Sequence, residues 1–393
     1  MNYDFDTPIS REGTSCIKHD GRAGYFGTAD VLPMWVADMD FAAPEAVTLA
    51  LAERALHPVY GYTWYPDGMY EALIEWLYKR HNWLVQREWI MPVPGVVPSL
   101  HAAMMACAGP GESVIVQPPV YFPFFSAATH TGRKLLLNPL SEEGGRYTMD
   151  FAQLEECAAQ AKLLLLCSPH NPVGRVWTQH ELEQVLDIAR RHKLAILTDE
   201  IHADLVYPEY RHTMLATLTR EGDNVITAVA PSKSFNIPGL GLSVLVIPDA
   251  QQRAAFRKIF EMLPPASANP FSVAAFDAAY REGGPWLDNL LLYLRDTRDF
   301  VRGYLAEHLP QIGLVEPEGT YLLWLDCRAM GMDDEQLKDF FVHRAKVGMN
   351  PGTVFGEQGS GFMRLNIGAP RSTVEEALRR ITAAVHALAR EER

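Results

Sequence analysis

The chain has 393 residues, 48% of them hydrophobic and 21% charged, with a formal net charge of −13. That length exceeds one small module, and that apolar content argues against disorder as the main state. An acidic chain repels phosphate backbones and anionic membrane surfaces, which speaks against nucleic acid or membrane as its partner.

The N-terminus, MNYDFDTPISREG, is acidic and lacks the apolar core of a signal peptide. The first predicted elements are helices over 44–56 and 67–82, joined by HPVYGYTWYP. A third helix, beginning near Pro98, follows the turn at Gly95, Val96 and Val97. Next comes an alternation of buried strands and helices. The strands are SVIVQ (113–117), KLLLL (162–166), LAILT (194–198), NVITAV (224–229) and LSVLVI (242–247). Helices are predicted over 122–131 and 151–161. A further helix opens at a capping box formed by Thr178 and Glu181. Strands separated by helices imply a largely parallel sheet. The C-terminal third predicts helices over 251–262, 270–282 and 285–308, then a strand over 320–326. A helix over 333–347, a strand over 362–366 and a closing helix over 372–390 complete it. The fold class is α/β. The expected organisation is an arm of residues 1–44, a large domain over 45–284 and a small α+β domain over 285–393.

Five cysteines, at 16, 107, 157, 167 and 327, are odd in number and contain no CxxC pair. A disulfide framework or zinc site is not expected, and the expected compartment is reducing and cytoplasmic. The longest apolar runs are too short to span a bilayer.

Motifs that follow the buried strands carry most weight, because ligands of parallel sheets sit at the carboxyl ends of strands. Asn171 stands in SPHNPVG, a sequence that also reads as a plain turn. Asp199 follows LAILT, where it also suits a helix cap. Lys233, in APSKSFNIPG, reads either as a solvated loop lysine or as a desolvated amine. Gly95 to Val97 open a helix whose free N–H groups suit a phosphate. Arg364 lies mid-strand in FMRLN and needs an anion, either an internal carboxylate or a substrate. Tyr121 follows SVIVQ and could stack on a flat ligand or pack in the core; Tyr62 sits in an aromatic loop. Together these residues describe a site for a flat, phosphorylated heteroaromatic aldehyde that accepts a lysine.

The constellation resembles the pyridoxal-phosphate enzymes of the aspartate aminotransferase fold, and is most similar to their cystathionine β-lyase, or C–S lyase, branch. The resemblance rests on LPMWVADMDF, GYTWYP, CSPHNPVGRVW, TDEIHADLV, SKSFNIPGL, GGPWLD, GTYLLWLD and MRLNIGAPRS. It implies that Lys233 condenses with the cofactor and acts in catalysis beside Tyr121. It places Asp199 at the ring nitrogen, Asn171 at the ring oxygen and Tyr121 on the ring, with His202 nearby. Ser232 and the backbone of Gly95, Val96 and Val97 would hold the phosphate, joined by Tyr62 from a second subunit of a homodimer. Arg364, Ala37 and Asn171 would bind the substrate. The implied reaction is β-elimination on L-cystathionine or a cysteine S-conjugate, within sulfur amino acid metabolism, giving a thiol, pyruvate and ammonia. Two positions depart from the transaminase pattern: His202 replaces a tyrosine and Gly241 a phosphate-binding arginine. An aminotransferase is the second reading. A regulatory protein that binds a transcription factor is the third.

Overall fold

The computed structural model describes residues 3–262 and 268–391. Its main sheet has seven strands: β1 (Ile90–Val93), β2 (Ser113–Val116), β3 (Lys134–Leu137), β4 (Ala161–Cys167), β5 (Ala195–Asp199), β6 (Val225–Val229) and β7 (Ser243–Val246). Their spatial order is β1-β7-β6-β5-β4-β2-β3. Neighbours from β6 across to β3 pair in parallel, while β7 runs antiparallel to both β6 and β1. Strands β5 and β6 are buried along their whole length, as helices on both faces require. Side chains alternate between two cores. Leu163 and Leu165 face the core shared with the Val96–Cys107 helix, whereas Leu164 and Leu166 face the one shared with the Gln179–His192 helix. The predicted capping box at Thr178 and Glu181 opens the latter helix.

A second, antiparallel sheet joins Gly313–Leu314, Leu322–Asp326, Phe362–Asn366 and Asn350–Pro351 in that order. Residues Leu32–Pro33 of the N-terminal segment pair in parallel with Val347–Gly348.

Several expectations need correction. The third helix starts at Val96, not near Pro98, because the Ser99 N–H bonds the Gly95 carbonyl at 3.3 Å. Pro98 sits within the first turn, where its missing N–H is tolerated. The helix expected over 151–161 ends at Ala158, and Ala161 already belongs to β4. The helix expected over 333–347 is an α-helix only at Asp334–Asp339. A π turn, Phe340–Arg344, then buries Phe340, Phe341 and Val342 together, and the chain becomes extended at Val347. Strands β1 and β3 were not expected from the sequence. Pro92 disguises β1, and β3 lies half-exposed at the sheet edge. A short hairpin, Ser141–Glu143 with Arg146–Thr148, also went unread; its turn is Gly144-Gly145, both with positive φ.

Candidate active site

The parallel register sets Cys167 beside Asp199 and Asp199 beside Ala228. The segments leaving β4, β5 and β6 therefore emerge together at the carboxyl end of the sheet. There Asn171, Asp199, His202, Ser232 and Lys233 line one cavity. Tyr121 and the Gly95–Val97 turn close it from the sheet side, and Ala37 closes it from the N-terminal segment.

Lys233 lies in a single turn of helix, Pro231–Ser234. Its Nζ donates to the Ala37 carbonyl at 2.7 Å. Burial pulls the amine down from the usual lysine range to about 8. The solvated-loop reading does not hold. Asp199 is buried and accepts from the Ile201 N–H at 3.2 Å. Burial pushes its carboxyl up to about 7, against the opposing pull of the Lys233 charge. A turn, not a helix, follows Asp199, so it caps nothing. His202 is buried with its Nδ1 unpartnered, edge-on to Tyr321. Burial pulls this imidazole down to about 3, which keeps it neutral. Burial also raises the Tyr121 phenol.

Arg364 is 5% exposed and extends from the second sheet to Asn171, a residue that lines the cavity. It donates to Asn171 Oδ1 at 3.0 Å, the Trp35 carbonyl at 2.9 Å and Asn350 Oδ1 at 2.8 Å, and its Nε has no partner. All three partners are neutral, so the internal salt bridge weighed above is not formed. A buried guanidinium with a spare donor and no anion fits an incoming carboxylate. Because arginine only donates, Asn171 must turn its oxygen to Arg364, leaving its Nδ2 hydrogens for a ligand.

At the other end, the Val96 and Val97 N–H groups belong to a first helical turn and lack intrahelical acceptors. Ser232 adds a hydroxyl. Gly241 lines the same cavity at φ +57, so this position offers the ligand no side-chain cation, as the departure noted in the sequence implies. Tyr62 does not reach the cavity of its own chain: it is 100% exposed. The donor set therefore suits a flat molecule with a phosphate at one end, a cationic ring nitrogen near Asp199 and a carbonyl near Lys233.

Sequence reasoning missed the residues that hold the N-terminal segment over the site. Tyr321 donates to the Ala37 carbonyl at 2.9 Å. Asn366 donates to the carbonyls of Val36 and Asp38, and Asn236 to those of Met39 and Phe41. They lie in SKSFNIPGL, GTYLLWLD and MRLNIGAPRS, but no local signal marks a side chain that binds a distant backbone.

A model of the aminotransferase class I and II family matches residues 29–381. The chain belongs to that family. It is 42% identical over 384 residues to the cystathionine beta-lyase PatB of Bacillus subtilis, covering 97% of this chain and 99% of that one. It is 34% identical over 390 residues to the protein MalY of Escherichia coli, covering 98% and 100%. The structure of cystalysin from Treponema denticola, which contains a pyridoxal 5'-phosphate cofactor, superposes with a TM-score of 0.96 at 36% identity, covering 99% and 100%. Membership in the aminotransferase class I and II family accords with the mostly parallel sheet and the lysine at its carboxyl end. Among the described residues, no helix is long and apolar enough to cross a membrane.

Proposed function

We propose that this family member binds pyridoxal phosphate and eliminates a thiol from Cβ of L-cystathionine or a related cysteine S-conjugate. With water, the products are the free thiol, pyruvate and ammonia. The observation that carries the reading is a buried, anion-free Arg364 bonded to Asn171, which lines one cavity together with Lys233, an amine pulled down to about 8. Relatives named as cystathionine beta-lyases support the choice of reaction.

When bound, the cofactor withdraws electron density from the substrate Cα. The chain does the rest. Val96, Val97 and Ser232 would hold its phosphate, and Asp199, ionised, would hold a positive ring nitrogen by its buried charge. Asn171 would donate to the ring oxygen, and Tyr121 would cover the ring beside neutral His202. Arg364, Asn171 and Ala37 fix the substrate at its carboxylate end, which holds the Cα–H bond within reach of Lys233. The lysine amine removes that proton. Lys233 and Tyr121, which line the same cavity, are the candidates to protonate the departing thiolate. Absence of a cation at Gly241, and His202 in place of tyrosine, favour elimination over amino transfer.

A homodimer is part of the proposal. Leu49, Leu56, Val59, Tyr60, Tyr62 and Trp64 are exposed on adjoining segments, and this apolar surface would carry Tyr62 to a second copy. We also propose the cytoplasm as its location, supported by five unpaired cysteines. The division into an arm of residues 1–44, a large domain over 45–284 and a small one over 285–393 is supported by the two separate sheets.

The test is anaerobic turnover of L-cystathionine and S-alkyl cysteines, with pyruvate and free thiol both measured. Stoichiometric release of the two is expected. A new amino acid formed from an α-keto acid acceptor, without pyruvate, would establish the aminotransferase instead.

A further inference from the structure

Residues 35–41, of which Ala37 lines the cavity, run without regular pairing along their length, yet most of their carbonyls are held by side chains from elsewhere. Arg364 takes that of Trp35, and Asn366 takes those of Val36 and Asp38. Lys233 and Tyr321 share that of Ala37, and Asn236 takes those of Met39 and Phe41. Two of these donors, Tyr321 and Asn366, flank the register of the second sheet, where Leu322 pairs with Asn366. They do not line the cavity. The sheet that supplies Arg364 therefore also fixes the backbone opposite the lysine.

The Ala37 oxygen is the decisive atom. Lys233 Nζ lies 2.7 Å from it and the Tyr321 hydroxyl 2.9 Å. A carbonyl oxygen has two lone pairs, so both donors are accommodated at once. Tyr321 is fully buried, and burial raises its phenol well above the usual range, so it remains a donor. Substituting its hydroxyl leaves the ring's packing intact but lets the carbonyl turn.

We propose that Tyr321 is a positioning residue for proton transfer. Its hydroxyl, with Asn366, fixes the Ala37 carbonyl as the acceptor that aims the Lys233 amine whenever that amine is not bonded to the cofactor. The inference rests on Lys233 being the proton carrier, as in the reading above, and it does not depend on the leaving group. The proton moves from Cα to the neutral amine, which becomes an ammonium donating to Ala37; solvent exchange and return complete the cycle.

The experiment uses L-alanine, which has no β leaving group, with the holoenzyme in deuterated water. Exchange of its Cα hydrogen is followed by mass spectrometry. In Tyr321→Phe the maximal exchange rate should fall about tenfold, inside the range that misplacing a catalytic group costs. The alanine concentration at half-maximal rate should stay within about twofold, because the change is confined to the Ala37 carbonyl and leaves both side chains assigned to the substrate carboxylate, Arg364 and Asn171, untouched. Amide hydrogen exchange of the peptide spanning 35–41 should quicken in the same variant. Asn366→Ser should give the same signature, and the double variant should lose less than the product of the two, since both act on one segment. An unchanged exchange rate in Tyr321→Phe, or a loss confined to the half-maximal concentration, overturns the proposal. If wild-type enzyme exchanges alanine but releases no pyruvate from thioethers, the elimination reading fails while this one is still decided by Tyr321→Phe.

Discussion

Arg364 and Asn171, 193 residues apart in sequence, meet at 3.0 Å between Nη1 and Oδ1. One comes from the antiparallel sheet and the other from the turn after β4 of the main sheet. The contact aligns a buried cation that lacks an anionic partner with an amide that lines the cavity. It joins the two sheets at the point where chemistry is expected.

Replacing Arg364 should expose this dependence. Arg364→Gln keeps a donor but removes the charge and the fork. A lost charged hydrogen bond is worth about 1.5–3 kcal/mol, roughly a ten- to hundredfold fall in kcat/KM. The fall should appear mainly in KM, measured with a thioether substrate.

Lys233→Ala should remove both the visible absorbance that added pyridoxal phosphate produces on the wild type and most of the turnover. Absorbance spectra with borohydride trapping and peptide mapping check the first effect. An adduct at another lysine would sink the assignment.

Asp199 predicts a pH signature in the cofactor-free protein. Burial raises its carboxyl from an ordinary 3.8 to about 7. Between those values the folded chain holds a proton that the unfolded chain has released. Stability from this group is therefore fully present below about pH 4 and lost as pH rises through 7. The difference in urea midpoint between wild type and Asp199→Asn should shift across that window and be flat above it. With cofactor bound, the same variant should lose on the order of a hundredfold in kcat.

Asp204 is a test of the scaffold. It accepts from Trp76 Nε1 at 3.1 Å, His81 Nε2 at 2.7 Å and Ser234 Oγ at 2.8 Å, tying the Asp67–His81 helix to the turn that carries Lys233. Asp204→Ala leaves three donors unpaired and should cost about 3–5 kcal/mol. Denaturant unfolding measures it.

Cofactor removal should destabilise the fold by mass action. At a free concentration one hundred times Kd, bound pyridoxal phosphate adds about 2.7 kcal/mol. Thermal unfolding with and without the vitamer should show a higher Tm when it is present, with the gain abolished in Lys233→Ala if the covalent link supplies most of the affinity.

The amino-acid sequence by itself determined the alternation of buried strands and helices, and the residues placed just beyond the strands. Apolar runs, caps and turn residues are local properties, and a parallel sheet sends every segment that follows a strand to the same end. Asn171, Asp199 and Lys233 could be found for that reason. Only the tertiary structure decided which alternative each residue takes. Arg364 could have met an internal carboxylate; packing gave it three neutral oxygens instead. Nothing in the order of residues says that Tyr321 reaches the Ala37 carbonyl, because that bond depends on the register of a second sheet and the path of an irregular segment. The π turn at Phe340–Arg344, with Phe340, Phe341 and Val342 all buried, has the same origin. Burial against distant elements, which no local pattern encodes, overrode the period expected from the chain.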